Sequence, residues 1–99
     1  MRDVFVRELS PWGQRRYDYL KNNNPSVINI MRMKGTLVEY LTGIDNDAQE
    51  MFEQLTKQLV ASEGINEQLK ATDQLEWVRR MNNIGDRARE IVNKELIYA

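Results

Sequence analysis

The chain of 99 residues contains no cysteine and no histidine. Thiol nucleophiles, Ser-His pairs, structural zinc and His- or Cys-ligated haem are therefore excluded. Proline occurs twice and glycine five times, too few for a collagenous or low-complexity chain. No apolar run approaches the roughly 20 residues of a membrane span, and Met-Arg-Asp-Val-Phe-Val is too short for a signal peptide. Small secreted domains usually carry disulfides, so the missing cysteines point to the cytoplasm. A hydrophobic share of 41% and a charged share of 29% suit a globular protein. This length supports one domain that buries roughly 60 to 70% of its unfolded surface.

Charge is nearly balanced in total, at −1, but not along the chain. Between Arg7 and Lys34, six basic residues oppose two acidic ones; between Ile44 and Glu76, eight acidic residues oppose two basic ones. Such a chain can present one basic and one acidic surface.

Start and stop signals divide the rest into helices. Ser10-Pro11 and Asn24-Pro25 each place proline at a first helical position, where its missing N–H costs nothing. The first helix, with Trp12, Tyr19 and Leu20 buried, stops at Asn22-Asn23-Asn24. The second carries Val27, Ile28, Met31, Val38 and Leu41, with Gly35 interrupting it. Thr42-Gly43 reads as a turn and Asp45 as the cap of a third helix with Ala48, Met51, Phe52, Leu55 and Leu59 on one stripe, stopped by Gly64. Asn66 starts a single turn. Asp73 with Glu76 is a capping-box pattern opening a terminal helix whose core stripe is Trp77, Met81, Ile84, Ala88 and Ile91. Val4, Phe5 and Val6 suit a short extended arm. The expected fold is all-α: a small bundle of about four helices over residues 10–99, preceded by an extended arm over residues 1–9.

Three surfaces are candidates for function, and none needs a cofactor or metal. Carboxylates are the acid-base groups that remain, but Asp45, Asp47, Glu50 and Glu53 sit at a helix start whose dipole already favours them. No Asp-x-Asp-x-Asp-Gly spacing or glycine-rich phosphate loop is present, so no catalytic residue is assigned. Asp47, Glu50 and Glu53 instead form an acidic face able to steer toward a basic partner. Arg79, Arg80 and Tyr98 are residue types that dominate interface hot spots. Arg15, Arg16, Arg32 and Lys34, close to Trp12, Tyr17 and Tyr19, form the basic group that could contact phosphates while an exposed tyrosine stacks on a base.

Glu63-Gly-Ile-Asn-Glu-Gln-Leu-Lys-Ala71, Leu75-Glu-Trp-Val-Arg-Arg-Met-Asn-Asn-Ile84, Ala88-x-Glu90-Ile-Val92 and Glu95-Leu-Ile-Tyr98 together resemble the TnpV family of small transposon-encoded proteins. A looser likeness runs through Arg16-x-x-x-Leu20-Lys21, Asn24-Pro25 and Ile44-Asp45, over roughly residues 10 to 99. The first eight residues and the Arg15-Arg16 pair depart from the family's longer, strand-forming start and more basic first helix. The resemblance implies a bacterial mobile element, a cytoplasmic setting and an accessory role, with no catalytic residues to carry over. The expectation is a non-enzymatic protein that binds stoichiometrically to a host or element-encoded protein or ribonucleoprotein. One form is an anti-CRISPR-like inhibitor that binds a Cas nuclease or its guide-RNA complex. The alternative is an excisionase-like DNA-binding factor using the basic group. A homodimer is a third reading, formed where the helices leave Trp77 or Met33 exposed.

Overall fold

The computed structural model describes residues 4–99. Among them there are five α-helices and no strand: α1 (Pro11–Asn23), α2 (Pro25–Lys34), α3 (Leu37–Ser62), α4 (Glu67–Thr72) and α5 (Gln74–Val92). The all-α class read from the sequence is therefore correct. A 3₁₀ turn, Val4–Glu8, precedes α1, and a π turn, Asn93–Ile97, follows α5.

Both prolines open helices, but Asn24 makes no side-chain cap bond, and the second helix ends at Lys34, leaving Val38 and Leu41 to α3. Ser10 is the N-cap of α1, and its hydroxyl accepts from the Trp12 N–H. Asn66 Oδ1 caps α4 at Leu69 N (2.9 Å), and Asp73 Oδ1 caps α5 at Glu76 N (3.1 Å). Gly35 has φ 72° and closes α2, its N–H donating to the carbonyls of Met31 and Arg32. Gly64, at φ 67°, follows α3 in the same left-handed conformation. Both are positions where a side chain would strain the backbone.

Three local expectations are corrected. The arm is not extended over residues 4–8: with no second strand to pair with, these residues wind into a 3₁₀ turn and bury Val6 completely. Residues 1–3 of the expected arm lie outside the described residues. No turn forms at Thr42-Gly43. α3 runs through both, because Leu37, Leu41 and Ala48 supply one buried stripe on either side of the glycine. That stripe outweighs a helical glycine's cost of about 1 kcal/mol. Asp45 consequently lies inside α3 and caps a different helix, as described below. In α5 the buried stripe is Ile84, Ala88 and Val92, while Ile91 is 41% exposed. An α-helix advances 100° per residue, so four-residue steps from Ala88 reach Val92.

α3 is the strut of the molecule. At 1.5 Å per residue its 26 residues span about 39 Å. α1 packs along its first half, with α2 across the end. α5 packs along α3 with α4 against it, while the π turn returns to α1. One core cluster joins Val6, Tyr17, Leu20, Ile28, Leu37 and Leu41; a second joins Trp12, Ala48, Val92 and Ile97. The extents are 56 × 22 × 20 Å, and the radius of gyration is 17.0 Å. A compact chain of this length would have about 13 Å.

Candidate functional site

Asp45 shows how α3 both holds the fold and clears its outer face. Its carboxylate turns inward and accepts the Gly13 N–H (2.9 Å), the Ser10 N–H (3.3 Å) and the Ser10 hydroxyl. Those are amino-terminal groups of α1, left without intrahelical acceptors by helix geometry. The approach is close: a Cβ on Gly13 would lie 3.1 Å from Asp45 Oδ1 and 2.9 Å from Leu9 Cδ1. Four residues on, Gln49 accepts from the indole N–H of Trp12 (3.1 Å) and donates to Glu53 (3.2 Å). α1 and α3 are thus fixed along one side of α3.

The solvent side of α3 carries Glu39, Asp47 and Glu50, with Glu53 at its edge beside Gln49, all exposed. No Lys or Arg occurs between Gly35 and Thr56. Among the described residues no ion pair involves Asp47, Glu50 or Glu53. From Asp47 through Glu50 to Glu53, three-residue spacing places successive carboxylates about 4.5 Å apart along the axis and about 60° apart around it. Asp47, Glu50 and Glu53 thus stand exposed on one helix.

The basic group is divided. Arg16 is half-buried: Nε donates to the Tyr40 hydroxyl (3.1 Å), and one terminal nitrogen donates to the carbonyls of Ile97 (2.9 Å) and Ala99 (3.0 Å). Its guanidinium also lies 5.7 Å from the Tyr19 ring centre. Arg16 thus ties the chain's end to α1. Arg15 stacks over Trp12 at 5.3 Å. Arg32 donates to Asn29, one turn back in α2, and Lys34 is exposed in the last turn of the same helix. Tyr17, one of the aromatics near the basic group, is 1% exposed and belongs to the core, because four-residue steps align it with Gly13 and near Leu20. Sequence spacing could have assigned it there.

In α5, Arg80 pairs with Glu76 at 2.9 Å and Arg79 approaches the same carboxylate at 3.7 Å; both arginines remain largely in solvent. Exposed pairs of this kind contribute about 0 to 1 kcal/mol and leave the guanidinium groups accessible. Tyr98 is half-exposed and sits edge-on to Tyr19, with ring centres 5.4 Å apart. Trp77, expected in the core, is only partly buried, with Lys70 Nζ 4.8 Å above its ring. The acidic face, Arg79–Arg80 and Tyr98 are thus separate surfaces rather than one site.

The surface clefts add no chemical constellation. One of about 580 Å³ is lined by Asp86, Arg89, Glu90, Asn93, Lys94 and Tyr98, and its Asp86 is already bridged to Arg89 at 2.8 Å. Another, about 240 Å³ and mostly apolar, lies between Phe5, Arg32, Gly35, Leu37 and Val38. No helix among the described residues is long and apolar enough to cross a membrane.

The model of the family described as "Transposon-encoded protein TnpV" matches residues 3–97. The chain belongs to the TnpV family. The match reaches past Ser10 to Asp3, so the TnpV pattern includes the 3₁₀ turn and α1 as well as the Trp77–Asn82 words. No curated protein and no solved structure matches this TnpV chain.

Proposed function

We propose that this TnpV-family chain is a non-enzymatic accessory protein of a mobile element, working in the cytoplasm by stoichiometric binding. It presents the carboxylate row of α3 to the basic, nucleic-acid-binding groove of a host or element-encoded protein or ribonucleoprotein. The observation that carries this reading is the row Asp47, Glu50 and Glu53, exposed on a helix anchored to α1 through Asp45 and Gln49. One carboxylate per roughly 4.5 Å of axis approaches the density of a nucleic-acid strand, with one phosphate per about 3.4 Å. A rigid row of that density competes for phosphate-binding lysines and arginines and gains fast association by steering. A guide-loaded Cas nuclease is a partner of this class, and inhibiting it protects an incoming element. The engagement of Arg16 by Tyr40, Ile97 and Ala99 favours this acidic reading over an excisionase-like one.

The test is affinity capture from a host lysate that carries the element and its defence systems, with the wild type beside the triple variant Asp47→Asn/Glu50→Gln/Glu53→Gln. The expected partner is retained by wild type, eluted by added nucleic acid or raised salt, and lost by the variant. Equal retention by both proteins would remove the reading. A duplex shifted by the chain itself at low salt, weakened by Arg15→Ala/Lys34→Ala, would instead establish the DNA-binding alternative.

A further inference from the structure

The half of the rod beyond the first two core clusters is one hairpin: the end of α3, then α4 and the start of α5. There α5 packs on α3 and on the short α4, and its remaining side faces solvent at Leu75 and Val78. Ile65 and Ile84 are buried between them, but Leu59, Val60, Leu69, Trp77 and Met81 are half-buried. Leu75 and Val78 are 73% and 39% exposed, and with Asn82 they fall at helical spacing along one face of α5. A two-layer hairpin cannot enclose a core of its own, whereas two hairpins side by side give each helix a further neighbour, as in a four-helix bundle.

Area and charge indicate what covers this face. The chain exposes 6741 Å². A compact monomer of 11.7 kDa would expose about 5,900 Å². The excess, about 800 Å², arises from the elongated shape of the whole chain and is of the size that one partner buries in a standard-size interface. Between Lys57 and Arg80 the charges cancel: Lys57, Lys70, Arg79 and Arg80 balance Glu63, Glu67, Asp73 and Glu76. Two copies of this segment meet without net repulsion. The same contact made through Glu39, Asp47, Glu50 and Glu53 would oppose like charges.

We propose that the free side of this hairpin, centred on Leu75 and Val78, is covered by the same hairpin of a second copy in a two-fold dimer. The arrangement leaves both acidic faces open to other partners, so the proposed binding function and the dimer stand or fall separately.

Sedimentation velocity and light scattering on the full chain from 5 to 200 µM test it. The expected mass is twice the 11.7 kDa of the chain. Leu75→Glu/Val78→Glu should return it to the monomer with unchanged far-UV circular dichroism, and Ile30→Glu/Met33→Glu, at the opposite end, should leave the dimer intact. Because the chain has no cysteine, Asn82→Cys provides a second measurement: mild oxidation should give a disulfide-linked dimer, and Glu50→Cys on the acidic face should not. A wild type that stays monomeric throughout would overturn the proposal. So would a dimer that survives Leu75→Glu/Val78→Glu, or one lost only through Ile30→Glu/Met33→Glu.

Discussion

Replacing Asp45 with alanine should destabilise the protein by about 2 to 3 kcal/mol, although the residue is polar, half-buried and inside a helix. Its carboxylate receives three donors from the start of α1: the Gly13 N–H, the Ser10 N–H and the Ser10 hydroxyl. Hydrogen bonds to a charged group contribute about 1.5 to 3 kcal/mol each when buried. Partial exposure, and the freedom of the Ser10 hydroxyl to find water, bring the sum below three times that range. The Gly13 N–H lies in a buried residue and would be left without an acceptor, which dominates the loss. For a domain of this size the change corresponds to a fall in Tm of roughly 10 to 20 °C. Urea denaturation followed by circular dichroism measures it, with Asp47→Ala as the exposed control, expected within about 0.5 kcal/mol of wild type. Asp45→Asn keeps an acceptor without the charge and should lose about half as much. Ser10→Ala combined with Asp45→Ala should cost less than the sum of the two, since they share a partner. If Asp45→Ala matches Asp47→Ala, the assignment of Asp45 as the cap of α1 is wrong.

The glycines divide by position. Gly43→Ala meets open space in mid-α3 and should stabilise by about 0.5 to 1 kcal/mol in the same denaturation assay. Gly13→Ala should destabilise by about 1 to 3 kcal/mol despite alanine's helix propensity, because its Cβ meets Leu9 and Asp45. Arg16→Ala should cost about 1 to 3 kcal/mol and accelerate amide hydrogen exchange in residues 96–98. Arg16→Lys should recover less than half of that, since an ammonium group lacks the guanidinium's planar fork; full recovery would show that only the charge matters.

Four of the five helix starts were legible because each was marked by a local rule, Ser10 and Asn24 before proline, Asn66 and Asp73 as capping side chains; the start of α3 at Leu37 carries no such mark and was expected at Asp45. The Asp73 half of the capping box forms, while the Glu76 carboxylate pairs with Arg80 and Arg79. What could not be read depends on contacts distant in sequence. Asp45 and Gly13 are 32 residues apart, and Arg16 and Ile97 are 81 apart, so the sequence offered a local role for Asp45 and a solvent role for Arg16. Gly43 looked like a stop because glycine's cost is local, whereas the stripe that overrides it extends to Leu37 and Ala48. The exposure of Asp47, Glu50 and Glu53 was visible because no base lies nearby in sequence to pair with them, although Asp45, in the same stretch, turns inward. The use of this row depends on the partner's chemistry, which capture with the charge-neutralised variant tests.

The π turn at Asn93–Ile97 makes the end of this protein a matter of counting. Val92 and Ile97 are both fully buried although five residues apart, an interval that an α-helix would spread over about 140° of its circumference and that the wider turn brings nearly into line. The turn therefore acts as a one-residue phase correction. It directs Tyr98 toward Tyr19 and the last carbonyls toward Arg16. A homologue one residue shorter here would keep every chemical group of the segment yet aim its final face elsewhere, so length, more than identity, sets what this edge of the molecule offers.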